Sequence, residues 1–240
     1  EARANPYGSP SLEELCAGKK DIVIISSDHT RPVPSRVTMP ILLHHIHSAA
    51  PEARVRILVA TGMHRPSTHE ELVNKYGEEI VANEEIVMHV ATDDSMMKKI
   101  GTLPSGGECI INKIAADCDL LLAEGFIEPH FFAGFSGSRK SVLPGIASYK
   151  TIMYHHNGQF VNDSHSRAGN LCHNHVSEDM FAAAEMAHLA FVLNVVLNGK
   201  HEVIGSFAGD IHKAHEAGCE FVKSLAGVEP VECEIAITTN

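Results

Sequence analysis

The stretch HFFAGFSGSRKSVLPG, residues 130–145, crowds His130, Gly134, Gly137, several serines and the adjacent cations Arg139 and Lys140 into one loop. Glycines in such a loop permit close backbone approach. The Walker phosphate loop requires glycine directly before its lysine, and Arg139 stands there instead. The dinucleotide pattern G-x-G-x-x-G is not matched either. What remains is a lysine beside a second cation. A neighbouring positive charge and partial burial both favour the neutral amine, the nucleophilic form of lysine. A covalent or Schiff-base lysine is one reading of Lys140. The other is plain phosphate binding by two cations.

Two further loops carry chemistry. SDHTRPVP supplies Asp28, Thr30 and Arg31. An arginine fork binds phosphate or carboxylate at two points; the plainer reading is a turn held by Asp28, with Arg31 a surface cation. TGMHRPST sets His64 after a Thr-Gly turn. An imidazole there can act as a general base, because it titrates near neutrality, or can simply hold the loop by hydrogen bonds. MYHHN adds His155 and His156, and imidazole suits nickel, zinc and copper. Adjacent helical residues diverge, so at most one of this pair faces the Lys140 loop. His44, His45 and His47 read as the face of a helix, and His173 and His175 lack the carboxylate or cysteine pattern of a metal site.

The elements that must position these loops alternate. Short apolar runs at DIVIIS, ARVRILVA, EEIVMHVA, DLLLAEGFIE, LAFVLNVVLN and HEVIGSFAGD predict strands, and CEIAITTN a last one. Helices are predicted from Ser35 as cap through Ala50, from Thr68 to Gly77, over ASYKTIMYHHNGQF, over SEDMFAAAEMAH and over IHKAHEAGCEFVKSLAG. ECIINKIAADCD reads as a strand end and a short helix. Strands separated by helices imply an α/β fold, a mostly parallel sheet with helices on both faces, Rossmann-like. In such sheets ligands sit beyond the carboxyl ends of strands, where all three loaded loops fall. Residues 1–20 read as an extended N-terminal segment and residues 21–240 as the α/β domain.

Composition excludes some partners. The chain has 240 residues, a net charge of −11 and no tryptophan, which argues against nucleic acid. No apolar run reaches membrane-spanning length. The six cysteines are scattered without a C-x-x-C pair, fitting reduced thiols and a cytoplasmic location. Histidine is in excess, with 17 residues, which suggests metal or proton chemistry.

Together and in this order, SDHTRPVP, ATGMHRP, EPHFFAGFSGSRKSVLPGI and TIMYHHN resemble the lactate racemase family, over essentially the whole chain. The resemblance implies a nickel-pincer nucleotide as cofactor. It implies that Asp28, His29, Thr30 and Arg31 hold the nucleotide and that His64 and His130 transfer protons. It further implies that Lys140 joins the cofactor covalently through a thioamide, and that His156 coordinates Ni(II), with one carbon and two sulfurs completing a planar site. The implied reaction inverts the hydroxyl-bearing carbon of a small 2-hydroxy acid, lactate or a relative, by proton-coupled hydride transfer through a flat 2-keto acid. Separate biosynthetic proteins would supply the cofactor. Family members continue into a second domain where this chain ends, so that domain is expected to be absent here, and the chain begins inside the family's first domain. Two other readings stay open. A zinc-dependent hydrolase or lyase would bind zinc on these histidines without a lysine adduct. A non-catalytic nucleotide- or phosphate-binding module would use Arg31, Arg139 and Lys140 as an anion clamp.

Overall fold

The computed structural model describes residues 5–228, 232, 234 and 235. The chain opens with α1 (Leu12–Cys16), β1 (Asp21–Ser27), α2 (Ser35–Ala49), β2 (Arg54–Ala60), α3 (His69–Tyr76), α4 (Glu78–Asn83) and β3 (Glu85–Met88). A hairpin of β4 (Met97–Thr102) and β5 (Glu108–Asn112) leads through α5 (Lys113–Asp117) into β6 (Leu120–Phe126). The glycine-rich loop contains the two-residue strands β7 (Pro129–His130) and β8 (Gly134–Phe135) and one helical turn, α6 (Arg139–Val142). Then come α7 (Tyr149–His155), α8 (Gly158–Val161), α9 (His175–Met186), β9 (Leu189–Leu197), β10 (Val203–Gly209) and α10 (Lys213–Ala226).

The main sheet runs β10-β9-β6-β1-β2-β3. Every pairing is parallel except β10 with β9, which form an antiparallel edge. The alternation of side chains along each strand explains two separate cores. Ile22 and Ile24 of β1, with Ile57, Val59 and Leu122, pack against Leu12, Met39, Leu42, Ile46 and Tyr76 of the first helices. Val23 and Ile25, with Leu58, Leu121 and Ala123, pack against Val176, Met180, Ala214 and Val222 of α9 and α10. Both faces are therefore covered, which is why the central strands read as unbroken apolar runs.

Local chemistry sets the boundaries. Thr68 accepts from the Glu71 amide while the Glu71 carboxylate accepts from the Thr68 amide, and Gly77 ends α3 at φ +93°. Ser35 does not cap α2. It is the first helical residue, after Pro34, and its hydroxyl turns inward to Glu124. The predicted helix over residues 147–160 breaks in two, because Asn157 leaves helical geometry and its side chain caps α8 at the Phe160 amide. Within the segment predicted to be extended, Tyr7 bridges Gly209, and Ser11 caps the buried helix α1 with a reciprocal Glu14 contact. The predicted last strand, residues 233–240, lies outside the described residues except for Glu234 and Ile235.

Candidate active site

β6, β1 and β2 are neighbours in the sheet. From β1 the chain moves to β2 on one side, while β6 pairs on the other, so their carboxyl-end loops flank a crevice at the point where strand order reverses. A cavity of about 490 Å³ occupies it, and Asp28, Arg31, His64, His130, Lys140 and His156 all line its wall. His29 and Thr30 do not. His29 lies on an adjoining cleft of about 410 Å³. Its Nδ1 is 2.9 Å from Ser67 Oγ, and its Nε2 is 3.5 Å from Glu71. Thr30 is exposed and serves Asp28, donating its amide (3.1 Å) and hydroxyl (2.7 Å) to Oδ1.

The other oxygen of Asp28 meets His64 Nδ1 at 2.6 Å. Burial alone would raise the Asp28 carboxyl, but the hydrogen bonds from Thr30 and His64 prevail and hold it below its ordinary range. An ionised carboxylate only accepts, so His64 carries its proton on Nδ1. Its Nε2 then keeps a lone pair, the state of a general base. The Asp28–His64 pairing is a role that sequence reading missed, having placed Asp28 in the nucleotide loop.

His130 has the opposite tautomer. The Ala133 amide donates to its Nδ1 at 3.2 Å, so the neutral ring carries its proton on Nε2. Phe131 stacks on the ring and Phe132 meets it edge-on, with centroids 4.7 and 4.6 Å away. Burial, reinforced by Lys140 and Arg31, lowers its pKa to about 3.

Lys140 sits in α6, with Nζ 6.0 Å from the Phe132 ring centre. Burial first, then the charges of Arg139 and Arg31, lower its pKa to about 7, against the opposing pull of Glu128. A large share of the amine is therefore unprotonated and nucleophilic at neutral pH. Glu128 itself is raised by burial and shares the cavity wall. Arg139, by contrast, points away. It is 1% exposed; its guanidinium donates to the carbonyls of Ala133, Phe135 and Ser136 and lies over the Phe181 ring at 4.7 Å. It braces the loop from behind, so the anion clamp loses one of its three cations.

His156 caps the C-terminal end of α7 and faces the cavity beneath Phe132, at a centroid distance of 5.4 Å. His155 is fully buried behind it. Burial lowers both imidazoles to about 4.

The loops are tied together. The Gly62 amide donates to the Gly145 carbonyl at 2.8 Å, joining the His64 loop to the Lys140 loop. The Ser138 amide and hydroxyl both donate to Asn194 Oδ1, anchoring the lysine turn on β9. Both glycines expected to admit a ligand are also required by packing, and Gly137 lines the cavity. A side chain at Gly134 (φ +77°) would strike the Asn170 carbonyl at 2.3 Å, and one at Gly137 (φ +124°) would strike the His215 ring at 2.6 Å. Beneath the site, Glu124 of β6 is wholly buried and accepts hydroxyls from Ser26 (2.6 Å), Ser35 (2.5 Å) and Thr38 (2.5 Å). Its signal in the sequence was a lone carboxylate inside the run DLLLAEGFIE.

Among the described residues, no three His, Cys, Asp or Glu side chains converge to hold a metal ion. The zinc site of a hydrolase, built from protein donors alone, has no ligand set among the described residues. The described cysteines are free, and burial raises the thiols of Cys16, Cys109, Cys118 and Cys219 to about 11 or 12. No described helix is long and apolar enough to cross a membrane.

A lactate racemase of Lactiplantibacillus plantarum is 68% identical over 236 residues, 98% of this chain and 56% of that protein. A lactate racemase of Thermoanaerobacterium thermosaccharolyticum is 52% identical over 239 residues, again 56% of its length. The chain thus spans about half the length of the curated relatives it matches. The structure of the lactate racemase apoprotein from Thermoanaerobacterium thermosaccharolyticum superposes on 92% of this chain, and on 53% of its own, with a TM-score of 0.91 and 53% identity. A protein from Thermotoga maritima shares the fold, at 22% identity and a TM-score of 0.71 over 91% of this chain and 60% of that one. The lactate racemase N-terminal domain pattern matches residues 1–169, and the chain belongs to that family.

Proposed function

We propose that this chain carries the cofactor and the proton-transfer groups of a racemase or epimerase acting on a small 2-hydroxy acid, with lactate the first substrate to test. The observation that carries this reading is the convergence on one cavity of a lysine whose pKa burial lowers to about 7, a metal-competent imidazole and two unlike imidazoles. The residues fit a nickel-pincer nucleotide. Lys140 offers an amine for a thioamide link, and His156 offers one imidazole to Ni(II), whose remaining donors the nucleotide would bring. The lack of a self-sufficient protein ligand set among the described residues agrees with a metal that arrives with its own donors. The chemistry supplied by such a group when bound is reversible acceptance of the hydride from the substrate's hydroxyl-bearing carbon.

This chain's residues do the rest. Arg31, exposed at the cavity mouth, offers a fork to an anionic group. His64 Nε2 takes the hydroxyl proton from one hand of the substrate, and buried Asp28 stabilises the imidazolium that forms. His130, on the loop after β6, serves the other hand; its Nε2–H donates a hydrogen bond to the developing alkoxide, whose proton comes back from the His64 imidazolium, so that both rings end neutral. Phe131 and Phe132 keep water from that ring. Proteins that synthesise the cofactor are the partners this reading requires.

The test is intact-protein mass spectrometry with metal analysis and turnover, on full-length protein made alongside the cofactor-synthesis enzymes. Lys140→Ala should lose the mass adduct. His64→Ala and His130→Ala should keep it and lose about 10²- to 10⁴-fold in turnover. An adduct that survives Lys140→Ala, or near-native turnover in either histidine variant, overturns the proposal.

A further inference from the structure

We infer that His155 is a positioning residue that sets the tautomer of His156, so that His156 presents Nε2, and only Nε2, to a metal. His155 Nε2 lies 2.9 Å from the Val176 carbonyl oxygen, which can only accept, so that nitrogen carries a proton. His155 is fully buried, and burial disfavours a second proton. Its Nδ1 is therefore a lone-pair acceptor, and it stands 3.0 Å from His156 Nδ1. The His156 nitrogen must donate across that gap. The proton of the neutral His156 ring is then fixed on Nδ1, and the lone pair on Nε2. The relay runs Val176 C=O, His155, His156, from the start of α9 to the cavity wall. Phe132, edge-on to His156, limits rotation of the ring from the other side. Metal-bound imidazoles commonly donate their second N–H to an oxygen acceptor. Here the acceptor is another imidazole, itself anchored to main chain.

The inference rests on the reading of His156 as the nickel ligand, and the two can fail separately. Asparagine places an oxygen near the position of the histidine Nδ1, whereas glutamine reaches toward the position of Nε2. His155→Asn thus keeps an acceptor for His156, and His155→Gln keeps the bond to Val176 but removes that acceptor. Ring ¹⁵N shifts of His156, measured by NMR without cofactor, should show an unprotonated Nε2 in the native protein and in His155→Asn, and a tautomer mixture in His155→Gln. In protein made with the cofactor-synthesis enzymes, the Lys140 adduct should persist in both variants. Nickel affinity should fall about 10- to 100-fold in His155→Gln and recover in His155→Asn. A protonated Nε2 in the native protein, or equal nickel retention in both variants, overturns the inference. An absent adduct in the native protein sinks the parent reading instead, and the ¹⁵N shifts still decide this one. Should His155→Gln fail to fold, the native shifts and the asparagine variant remain decisive.

Discussion

Asp28 does more at the residue scale than hold a turn. Its Oδ1 already takes two donors from Thr30, and its Oδ2 takes His64 Nδ1. In Asp28→Asn, the carbonyl oxygen is claimed by the Thr30 pair, so the amide NH₂ must face His64. His64 Nδ1 then becomes the acceptor and Nε2 is protonated, which blocks the base. Turnover should fall on the order of 10²- to 10⁴-fold, as expected for a wrong tautomer, while the mass adduct on Lys140 stays. Steady-state rates and intact mass on the same preparation check this; an unchanged rate rejects it. The residue types at the site were readable in the sequence, since Lys140, His64, His130 and Arg31 sit in loops with no structural excuse for so much chemistry. Which nitrogen carries which proton was not readable. That depends on the Asp28 oxygen, the Ala133 amide and the Val176 carbonyl, each placed by tertiary structure.

Among the elements, three loops meet because β6, β1 and β2 are adjacent, an order that chain sequence alone does not state. Strand content was legible from the apolar runs, and the α3 boundaries from Thr68 and Gly77. The β4–β5 hairpin was not foreseen in full, because the strand MKKIGT is polar and only partly covered. The antiparallel β10 also departs from a pure crossover pattern, since a short turn after β9 leaves no room for a helix. Arg139 read as a ligand-binding cation, yet it packs the loop from below, a placement that only the surrounding carbonyls reveal. Glu124 shows how an element end is secured. It binds Ser35 and Thr38 at the start of α2 to β6, directly under the Asp28 loop. Glu124→Ala would leave the buried hydroxyls of Ser26 and Ser35 without their acceptor, while Thr38 keeps the Pro34 carbonyl. Chemical denaturation should register a loss of about 2–5 kcal/mol, and a loss under about 1 kcal/mol would show the network to be dispensable.

Across the whole molecule, buried imidazoles couple stability to pH. Burial lowers His89 and His155 to about 4 and pushes His215 well below its ordinary value. In the unfolded chain each titrates near 6.5. Between about pH 6.5 and pH 4 the unfolded state therefore binds protons that the folded state refuses, and stability falls as pH falls. Each fully buried imidazole contributes up to about 1.4 kcal/mol per pH unit within that window. Thermal melts from pH 7 to pH 4 should show Tm dropping through the window. His89→Gln should flatten the slope; a Tm that is level from pH 6.5 to pH 4.5 contradicts the assignment. The histidine excess was plain in the composition, but only the two-sided core decides which rings are sealed.

The unlike protonation of residues 64 and 130 has a thermodynamic corollary. Mirror-image acids have equal free energies in solution, so the equilibrium constant of the proposed inversion is one. The Haldane relation then forces kcat/KM to be identical for the two hands, however different the imidazoles that greet them. The asymmetry can surface only as a trade between tighter binding and faster conversion, one hand saturating early and the other turning over quickly.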